Sequence, residues 1–247
     1  MYKRQDLDVA AKQCALGATS YNGQRCTAIK LMLVHRSVHD AFVAKLLEHV
    51  GALAAGLPWA PGVAITPLPE PSKPTYLEEL VADALAGGAT IANAGAGGGG
   101  VLRGALLAPP VVVGVTPSMR LFHEEQFGPV LPVAAFDDVA EVHAAVRASW
   151  NGQQAALFTR DPAAAAPLID MLSTVVGRIN LNVQCSRGPD VFPFSGRRSS
   201  AMGTMSVTEA LRGFSIEVVL AYPAASEDSK AVAEGAKAAS SFLSVVG

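Results

Sequence analysis

The sequence predicts an α/β protein built on a mostly parallel, twisted open sheet with crossover helices. Short runs of apolar, partly β-branched residues alternate along the chain with stretches of helical periodicity. This alternation indicates parallel strands, because parallel neighbours need a crossover connection and that connection is usually a helix. Half of the 247 residues are apolar and only 16% are charged, as in an ordinary globular enzyme.

The first part of the chain is predicted to run helix, strand, helix. A helix over Leu7–Tyr21 follows Asp6, a plausible cap, and ends at Asn22-Gly23. The apolar run Thr27–Val34 indicates a buried strand, and Ser37–Ala55 has a clear helical period.

The next segment contains the strongest interruptions. Leu57–Pro74 is rich in proline and is predicted to be an extended surface connection. A helix over Tyr76–Leu85 is ended by Gly87-Gly88. Ala94–Gly100 is nearly all Gly and Ala but lacks the register of a phosphate-binding loop, so we expect a loop tip.

The rest of the chain repeats the alternation and ends in a tail rich in Ala, Ser and Lys. From residue 224 to 247 this tail is expected to be mobile or weakly helical. The predicted strands are 110–115, 130–136, 154–159, 175–181 and 216–221, and the predicted helices are 139–148 and 162–172.

Charge and cysteine content exclude several classes of protein. A net charge of -2 gives no field for a nucleic acid or an acidic membrane surface, so neither is an expected partner. Three widely spaced cysteines argue against a disulfide framework, and no apolar run reaches the ~20 residues that span a bilayer. The five histidines are scattered, so no metal site is expected. We expect a cytoplasmic protein.

The first candidate site is Gly23-Gln24-Arg25-Cys26, between the first helix and the first strand. Most lone cysteines are inert core residues, and Cys14, on an apolar helical face, fits that description. Cys26 instead follows a glycine turn and adjoins Arg25. A neighbouring guanidinium can lower the pKa of a thiol, and the thiolate is the species that attacks a carbonyl carbon.

The second candidate site is His123–Pro129, which precedes a predicted strand. Two adjacent acids such as Glu124 and Glu125, before a turn such as Phe127-Gly128-Pro129, usually belong to a solvated loop. In the functional interpretation, a carboxylate there bonds ribose hydroxyls while the nearby Phe127 packs beside a flat ring.

The third candidate site is the polar loop Asn180–Gly196, which follows a predicted strand end. Arg187 within it is suited to bidentate pairing with phosphate or carboxylate oxygens. The alternative is a surface arginine that stabilises the loop.

Taken together, the three segments resemble the aldehyde dehydrogenase superfamily from about Asp6 to Pro223. Gly23–Cys26 resembles its nucleophile motif, Glu125–Pro129 its E-x-F-G-P cofactor motif, and Pro193–Gly196 its P-F-G-G loop. Gln184–Phe194 and Arg25 resemble non-phosphorylating glyceraldehyde-3-phosphate dehydrogenases of plant and algal type. Gly203–Leu211 is also similar to that subfamily.

This resemblance implies a role for each matched residue. Cys26 would be the nucleophile, Glu125 the ribose contact and Phe127 the nicotinamide contact, while Arg25 and Arg187 would bind the substrate phosphate. The implied cofactor is NADP, with NAD possible. The implied substrate is a small phosphorylated aldehyde, glyceraldehyde 3-phosphate, and the implied parent enzyme is a homo-oligomer, a dimer or tetramer.

The family also has parts that this sequence does not match. An N-terminal Rossmann-like domain, an oxyanion asparagine and an E-L-G-G glutamate would precede Asp6, and residues 1–5 do not match the expected strand. We therefore expect a catalytic-domain fragment over 6–213, a strand for oligomerisation in 214–223, a mobile tail over 224–247 and no activity of the chain alone.

Three rival interpretations stay open at this point. Arg25 and Arg187 would serve the carboxylate of a semialdehyde as well as a phosphate. A cysteine hydrolase would pair Cys26 with a histidine, but it leaves the F-G-P motif unexplained. A folded interaction module without turnover is the third.

Overall fold

The computed structural model describes residues 6–95, 98–216 and 218–240. The chain divides into two compact units, residues 1–206 and residues 207–247. Every candidate site residue lies in the first unit.

The described residues form short strands and eight α-helices, besides two short 3-10 helices at Ser20–Gly23 and Arg198–Ser200. In chain order the elements are α1 (Leu7–Thr19), β1 (Met32–His35), α2 (Arg36–Gly51), β2 (Ala54–Ala55), β3 (Val63–Ile65), α3 (Lys73–Ala86), β4 (Thr90–Ile91), β5 (Leu102–Arg103), β6 (Leu106–Leu107), β7 (Val111–Val113), α4 (Arg120–His123), β8 (Leu131–Phe136), α5 (Val139–Ala148), β9 (Gln154–Leu157), α6 (Pro162–Ser173), β10 (Arg178–Leu181), β11 (Phe194–Ser195), β12 (Thr204–Met205), α7 (Val207–Gly213) and α8 (Glu227–Ala239).

The main sheet has the order β1-β8-β7-β4 among the described residues. β1 and β8 run parallel with Met32 opposite Val133, β7 and β8 run parallel, and only β4 is antiparallel. β9 and β10 form a second parallel pair. The predicted α/β class is confirmed, but the sheets are mixed, since β4-β7, β5-β6 and β11-β12 pair antiparallel. The lack of a Rossmann-like domain stays a prediction.

Helices pack on the main sheet in two clusters. On one side α1 presents small residues such as Ala10 and Ala11 to Phe42 and Leu46 of α2, both fully buried. Small residues allow the two helices to approach closely, which positions the C-terminal end of α1 and the turn that follows it. The other cluster joins Leu77 and Leu80 of α3 to the strands. A third cluster packs α6 on β9.

The predicted strand Thr27–Val34 is wrong over its first part, because the strand begins only at Met32. The backbone N–H of Ala28 donates to Arg25 O at 2.9 Å, and that of Ile29 donates to Gly17 O at 3.0 Å. These bonds form a turn. The same N–H groups are therefore not available to pair with a neighbouring strand.

Other observed helix and strand boundaries also differ from the predicted ones. The helix predicted to reach Ala55 ends at Gly51. The proline-rich connection contains β3, and α3 begins inside it at Lys73, with Pro74 in its first turn where no N–H partner is needed.

The C-terminal predictions are partly wrong. The strand predicted over 216–221 does not form in described residues 216 and 218–221, since a strand needs a paired neighbour and none of the described strands provides one. The tail predicted as mobile contains α8, which Ser226 caps by accepting from Ser229 N. Four parts of these predictions lie outside the described residues: the leader 1–5, residues 96–97 of the loop tip, residue 217 of the strand and residues 241–247 of the tail. In the described part of the chain no helix is long and apolar enough to cross a membrane.

Candidate active site

The turn Tyr21–Cys26, called the nucleophile turn after the sequence motif that it contains, has an unusual backbone conformation. Tyr21, Asn22 and Gly23 have φ values of +55°, +56° and +68°, the left-handed region that only glycine adopts freely. Asn22 is anchored on both sides of its amide, donating to Thr66 O at 3.0 Å and accepting from Thr66 N at 2.9 Å. The turn therefore leaves the end of α1 with a fixed direction and places Cys26 at the surface, where its thiol is exposed.

Gly23 also joins the nucleophile turn to the cofactor motif. A Cβ at this position would lie 2.5 Å from Gly128 O and 2.6 Å from Ala18 O. Gly128 is packed just as tightly, since its own Cβ would lie 2.5 Å from a methyl carbon of Leu77. The two motifs, 105 residues apart in the sequence, are thus in direct backbone contact.

A cavity of about 490 Å³ opens beside these two turns. Cys26, Glu125 and Phe127 line its wall together with Lys30. Apolar side chains of β1, α5, β9 and α6 also line it. The structure thus brings together three residues that the sequence motifs assign to one site, and the volume lies in the range of ~300–1,000 Å³ typical of ligand sites.

The two acids of the cofactor motif have different surroundings. Glu124 accepts from Arg120 Nε at 2.7 Å and from its terminal nitrogen at 2.9 Å. The hydrogen bond from Arg120 lowers the pKa of Glu124. Glu125 is exposed, and within the described residues its carboxylate accepts no hydrogen bond, which leaves both oxygens available to hydroxyl donors.

Phe127 has a strained backbone conformation. Its φ of +45° is rare for an aromatic residue and costs of order 1–3 kcal/mol, a strain typical of ligand sites. The ammonium of Lys73 lies 5.7 Å from the centre of this ring, within cation–π range. The Tyr76 hydroxyl donates to Glu125 O at 3.0 Å. This bond restrains the backbone two residues before Phe127.

Burial separates the three thiols of the chain. Burial raises the pKa of Cys14 from 9.0 to about 12 and that of Cys185 to about 11. Both line the same cavity as Cys26, but only Cys26 is exposed. The core assignment of Cys14 is confirmed, and Cys26 is the thiol that a reagent can reach.

Arg25 does not stand beside the thiol as an open anion ligand. One terminal nitrogen donates to Thr27 Oγ1 at 2.8 Å and Cys185 O at 3.0 Å, and the other to Gly17 O at 3.2 Å and Gln184 Oε1 at 3.0 Å. All four terminal N–H groups are used, and the remaining Nε is buried without a partner. Arg25 therefore ties the nucleophile turn to the loop after β10.

Arg187 is more accessible, with 62% of its side chain exposed. Its Nε lies 3.6 Å from Asp190 Oδ1, and its guanidinium stands 5.6 Å from the centre of the Phe194 ring. It does not line the cavity that contains Cys26. The structure thus leaves Arg187 at the loop surface, with an acidic neighbour that an incoming anion would have to displace.

Sequence reasoning missed the residues that shape this loop. A terminal nitrogen of Arg178 donates to the carbonyls of Ser186, Arg187 and Gly188 at 3.1, 3.2 and 2.8 Å. Gln154 also brackets Ser186, donating to its carbonyl at 2.8 Å and accepting from its N–H at 3.1 Å. Such long-range bonds leave no periodic signal in the sequence. Among residues 6–95, 98–216 and 218–240, no group of three His, Cys, Asp or Glu side chains is placed to hold a metal ion.

Comparison with known proteins identifies the family. The model of the aldehyde dehydrogenase family matches residues 1–218, most of the chain. The chain belongs to the aldehyde dehydrogenase family. The resemblance of the three motifs to aldehyde dehydrogenases is therefore confirmed at the level of the family.

Individual aldehyde dehydrogenases cover more than four-fifths of the chain. The NADP-dependent glyceraldehyde-3-phosphate dehydrogenase of Nicotiana plumbaginifolia is 38% identical over 206 residues, which are 83% of this chain and 40% of the relative. The structure of the NADP-dependent glyceraldehyde-3-phosphate dehydrogenase from Bacillus halodurans, complexed with NADP, is 38% identical with a TM-score of 0.80, covering 85% of this chain and 42% of that one.

A structure described as a succinate-semialdehyde dehydrogenase is also similar. The succinate-semialdehyde dehydrogenase structure from Burkholderia pseudomallei is 29% identical with a TM-score of 0.76, covering 83% of this chain and 41% of that one. The chain spans about 40% of the length of the aldehyde dehydrogenases that it matches.

Proposed function

We propose that this chain carries the nucleophile of an NADP-dependent aldehyde dehydrogenase that oxidises glyceraldehyde 3-phosphate to 3-phosphoglycerate. The observation that carries the proposal is the shared cavity, because the one exposed thiol, Cys26, lines it together with Glu125 and Phe127. Similarity to NADP-dependent glyceraldehyde-3-phosphate dehydrogenases supports the choice of substrate and cofactor. The parent enzyme would be a homo-oligomer.

The thiolate of Cys26 attacks the aldehyde carbon, and the carbonyl oxygen takes the charge that the sulfur loses. The backbone N–H of Cys26 is one donor for that oxyanion, and such a donor contributes about 10² to 10³ in rate. After loss of a hydride the thiohemiacetal becomes a thioester on Cys26. Water then releases the acid and restores the thiol, so no inorganic phosphate is consumed.

The cavity wall fits a dinucleotide at two points. The open carboxylate of Glu125 can accept from two vicinal hydroxyls, and the ring of Phe127 offers a flat face that Lys73 and the strained backbone hold in place. NADP bound there would accept the hydride. The role of the protein is to hold that acceptor against the thiohemiacetal, since positioning is the main requirement for such a transfer.

The substrate phosphate is assigned to Arg187 and Arg25. Arg187 is exposed, and its long contact with Asp190 is of the kind worth only ~0–1 kcal/mol, so a dianion can displace it. Arg25 can join only by exchanging a partner. Gln184 Oε1 is the exchangeable one, because it is the end of a half-buried, rotatable side chain, whereas two of the others are backbone carbonyls.

A carboxylate-bearing semialdehyde is the second candidate substrate. Arg187 already pairs with a carboxylate, that of Asp190, and a structure of a succinate-semialdehyde dehydrogenase is similar to this chain. A guanidinium binds either anion in a bidentate manner, so Arg187 would serve both substrates.

Protection of Cys26 from alkylation tests the proposal without requiring turnover. Glyceraldehyde 3-phosphate should slow the reaction of Cys26 with iodoacetamide, and glyceraldehyde without phosphate should do so only at much higher concentration. Arg187→Met should remove that difference, while Arg103→Met, which changes an exposed arginine outside the site, should not. Stronger protection by succinate semialdehyde would favour the second candidate, and equal weak protection by all three would contradict both.

Formation of NADPH is measured in parallel. We expect no turnover by the 247-residue chain alone and turnover in a protein that joins this chain to a dinucleotide-binding domain. Multiple turnovers by the chain alone would show that these residues contain a complete cofactor site and base.

A further inference from the structure

We propose that Lys30 and Gln126 are positioning residues that hold Glu125 and Phe127 at the cavity wall and fix them relative to Cys26. The inference rests on the proposed function for its consequence, but it stands on contacts that do not require a cofactor. Glu125 and Phe127 both belong to the segment Phe122–Val130, the cofactor segment.

Lys30 binds the N-terminal end of the cofactor segment. Its ammonium donates to Phe122 O at 2.9 Å, across 92 residues of sequence. Lys30 lies four residues after Cys26, and both side chains line the same cavity. A single stretch of chain therefore contains the nucleophile and one fastening point of the cofactor segment.

Gln126 binds the same stretch from the other side of Glu125. Its Nε2 donates to Lys30 O at 2.9 Å and to Val130 O at 3.0 Å, and the residue is 3% exposed. Lys30 thus bonds the cofactor segment twice, once by its side chain and once by its carbonyl. Glu125 lies between the two points, so it can reach into the cavity while its neighbours are fixed.

Each of these hydrogen bonds is made by a polar group whose burial costs free energy. Gln126 Oε1 is buried without a partner, so the amide is oriented by the two bonds of its nitrogen alone. Burial lowers the pKa of Lys30 to about 8, although Glu125 and Glu124 oppose that shift. The Lys30 ammonium is kept in this largely buried position with its bond to Phe122 O, which is why we assign Lys30 a positioning role.

Several ionisable groups surround the ammonium. The cofactor segment presents Glu124, which Arg120 pairs, and Glu125. His123 and Cys26 line the same cavity. Tyr76 of α3 donates to the backbone of the segment at Glu125. Among these, only the two glutamates act on the Lys30 ammonium strongly enough to raise its pKa.

Hydrogen exchange on the 247-residue chain tests the fastening directly. We compare Lys30→Met and Gln126→Met with the wild type. Lys30→Arg is the conservative variant, and Lys45→Met, which changes a lysine on the solvent side of α2, is the matched control. Amides of the cofactor segment should exchange at least about tenfold faster in Lys30→Met and Gln126→Met, the fold-change expected for one lost charged or buried hydrogen bond. Lys30→Arg and Lys45→Met should resemble the wild type.

A change of pH supplies a readout that a merely space-filling lysine would not give. The ratio of exchange rates between Lys30→Met and wild type should rise as pH rises from about 8 towards 10.5. An opening that exposes Lys30 must take up a proton in that range, because the pKa of the buried amine is lowered to about 8, whereas Lys30→Met takes up none. Alkylation of Cys26 should keep its rate in both variants, which excludes general unfolding. Unchanged exchange in Lys30→Met, or equal acceleration throughout the chain, would overturn the proposal.

The cofactor decides the functional consequence separately. In a protein that joins this chain to a dinucleotide-binding domain, added NADP should slow exchange in the wild-type cofactor segment, and Lys30→Met should need at least about tenfold more NADP for the same effect. If NADP protects neither protein while Lys30→Met still loosens the segment, the fastening is supported and the proposed NADP function fails. If NADP protects both proteins equally, Lys30 does not position the cofactor contacts.

Discussion

Alkylation of the three thiols is the sharpest test of the assignment of Cys26. The pKa of Cys185 is raised from 9.0 to about 11, and that of Cys14 to about 12, both mainly by burial. At neutral pH the reactive thiolate is therefore about a hundredfold scarcer at Cys185, and about a thousandfold scarcer at Cys14, than at an ordinary thiol. Cys26 is exposed, so we expect it to react at least about a hundredfold faster than either.

The assay is a time course with iodoacetamide near pH 7 on the folded chain, read by mass spectrometry of the three cysteine peptides. Cys26→Ser should remove the fast phase and leave the two slow ones. In denaturant all three thiols should react at similar rates, because the difference arises from burial and not from local sequence. This control also shows that each peptide is detected equally well.

A rate for Cys14 or Cys185 within about tenfold of that for Cys26 in the folded chain would refute the reasoning. It would mean either that the core around α1 opens readily or that the exposed thiol is not the distinctive one. The wild-type rate also serves as the reference for the substrate-protection experiment described above.

Three further outcomes follow from the structure. In a complete parent enzyme, Glu125→Gln should raise the KM for the nucleotide more than that for the aldehyde; an effect confined to the aldehyde KM would count against the ribose contact. Gly23→Ala should destabilise the chain by at least about 2 kcal/mol, because a Cβ would meet Gly128 O at 2.5 Å and φ is +68°; an unchanged urea midpoint would contradict this. The pKa of Lys30 is lowered to about 8 in the folded state, so the unfolded chain binds more protons between about pH 8 and 10.5 and stability rises through that window. The free energy of unfolding of the wild type minus that of Lys30→Met should therefore increase there by up to about 3 kcal/mol, and a flat difference would exclude a buried charge.

The parts of the fold that local sequence controls were predicted well. Helix α5 was predicted at its observed bounds because its cap is local, with Asp138 and Glu141 forming a complete capping box. The strand at Thr27 was not, because the bonds that replace the ladder there come from Gly17 and Arg25 and depend on how the end of α1 packs.

The candidate site divides in the same way. Cys26, Glu125 and Phe127 were found because each belongs to a short motif, and the structure brings all three to one cavity. Lys30 was missed, although a lone charge within the apolar run from Thr27 to Val34 was a usable signal. The partners of Arg25 lie up to 160 residues away, and no local pattern could have shown that its donors are engaged.

The contact between Gly23 and Gly128 has a consequence for protein engineering. A segment carrying the cofactor motif could not be transplanted from another dehydrogenase by matching its length and ends alone, because its glycine carbonyl must fit a recess formed by a left-handed turn elsewhere in the chain. A productive graft would exchange both segments together as one unit. Libraries that vary the two segments independently should consist mostly of chains in which the Gly128 carbonyl and the turn at Gly23 no longer fit together.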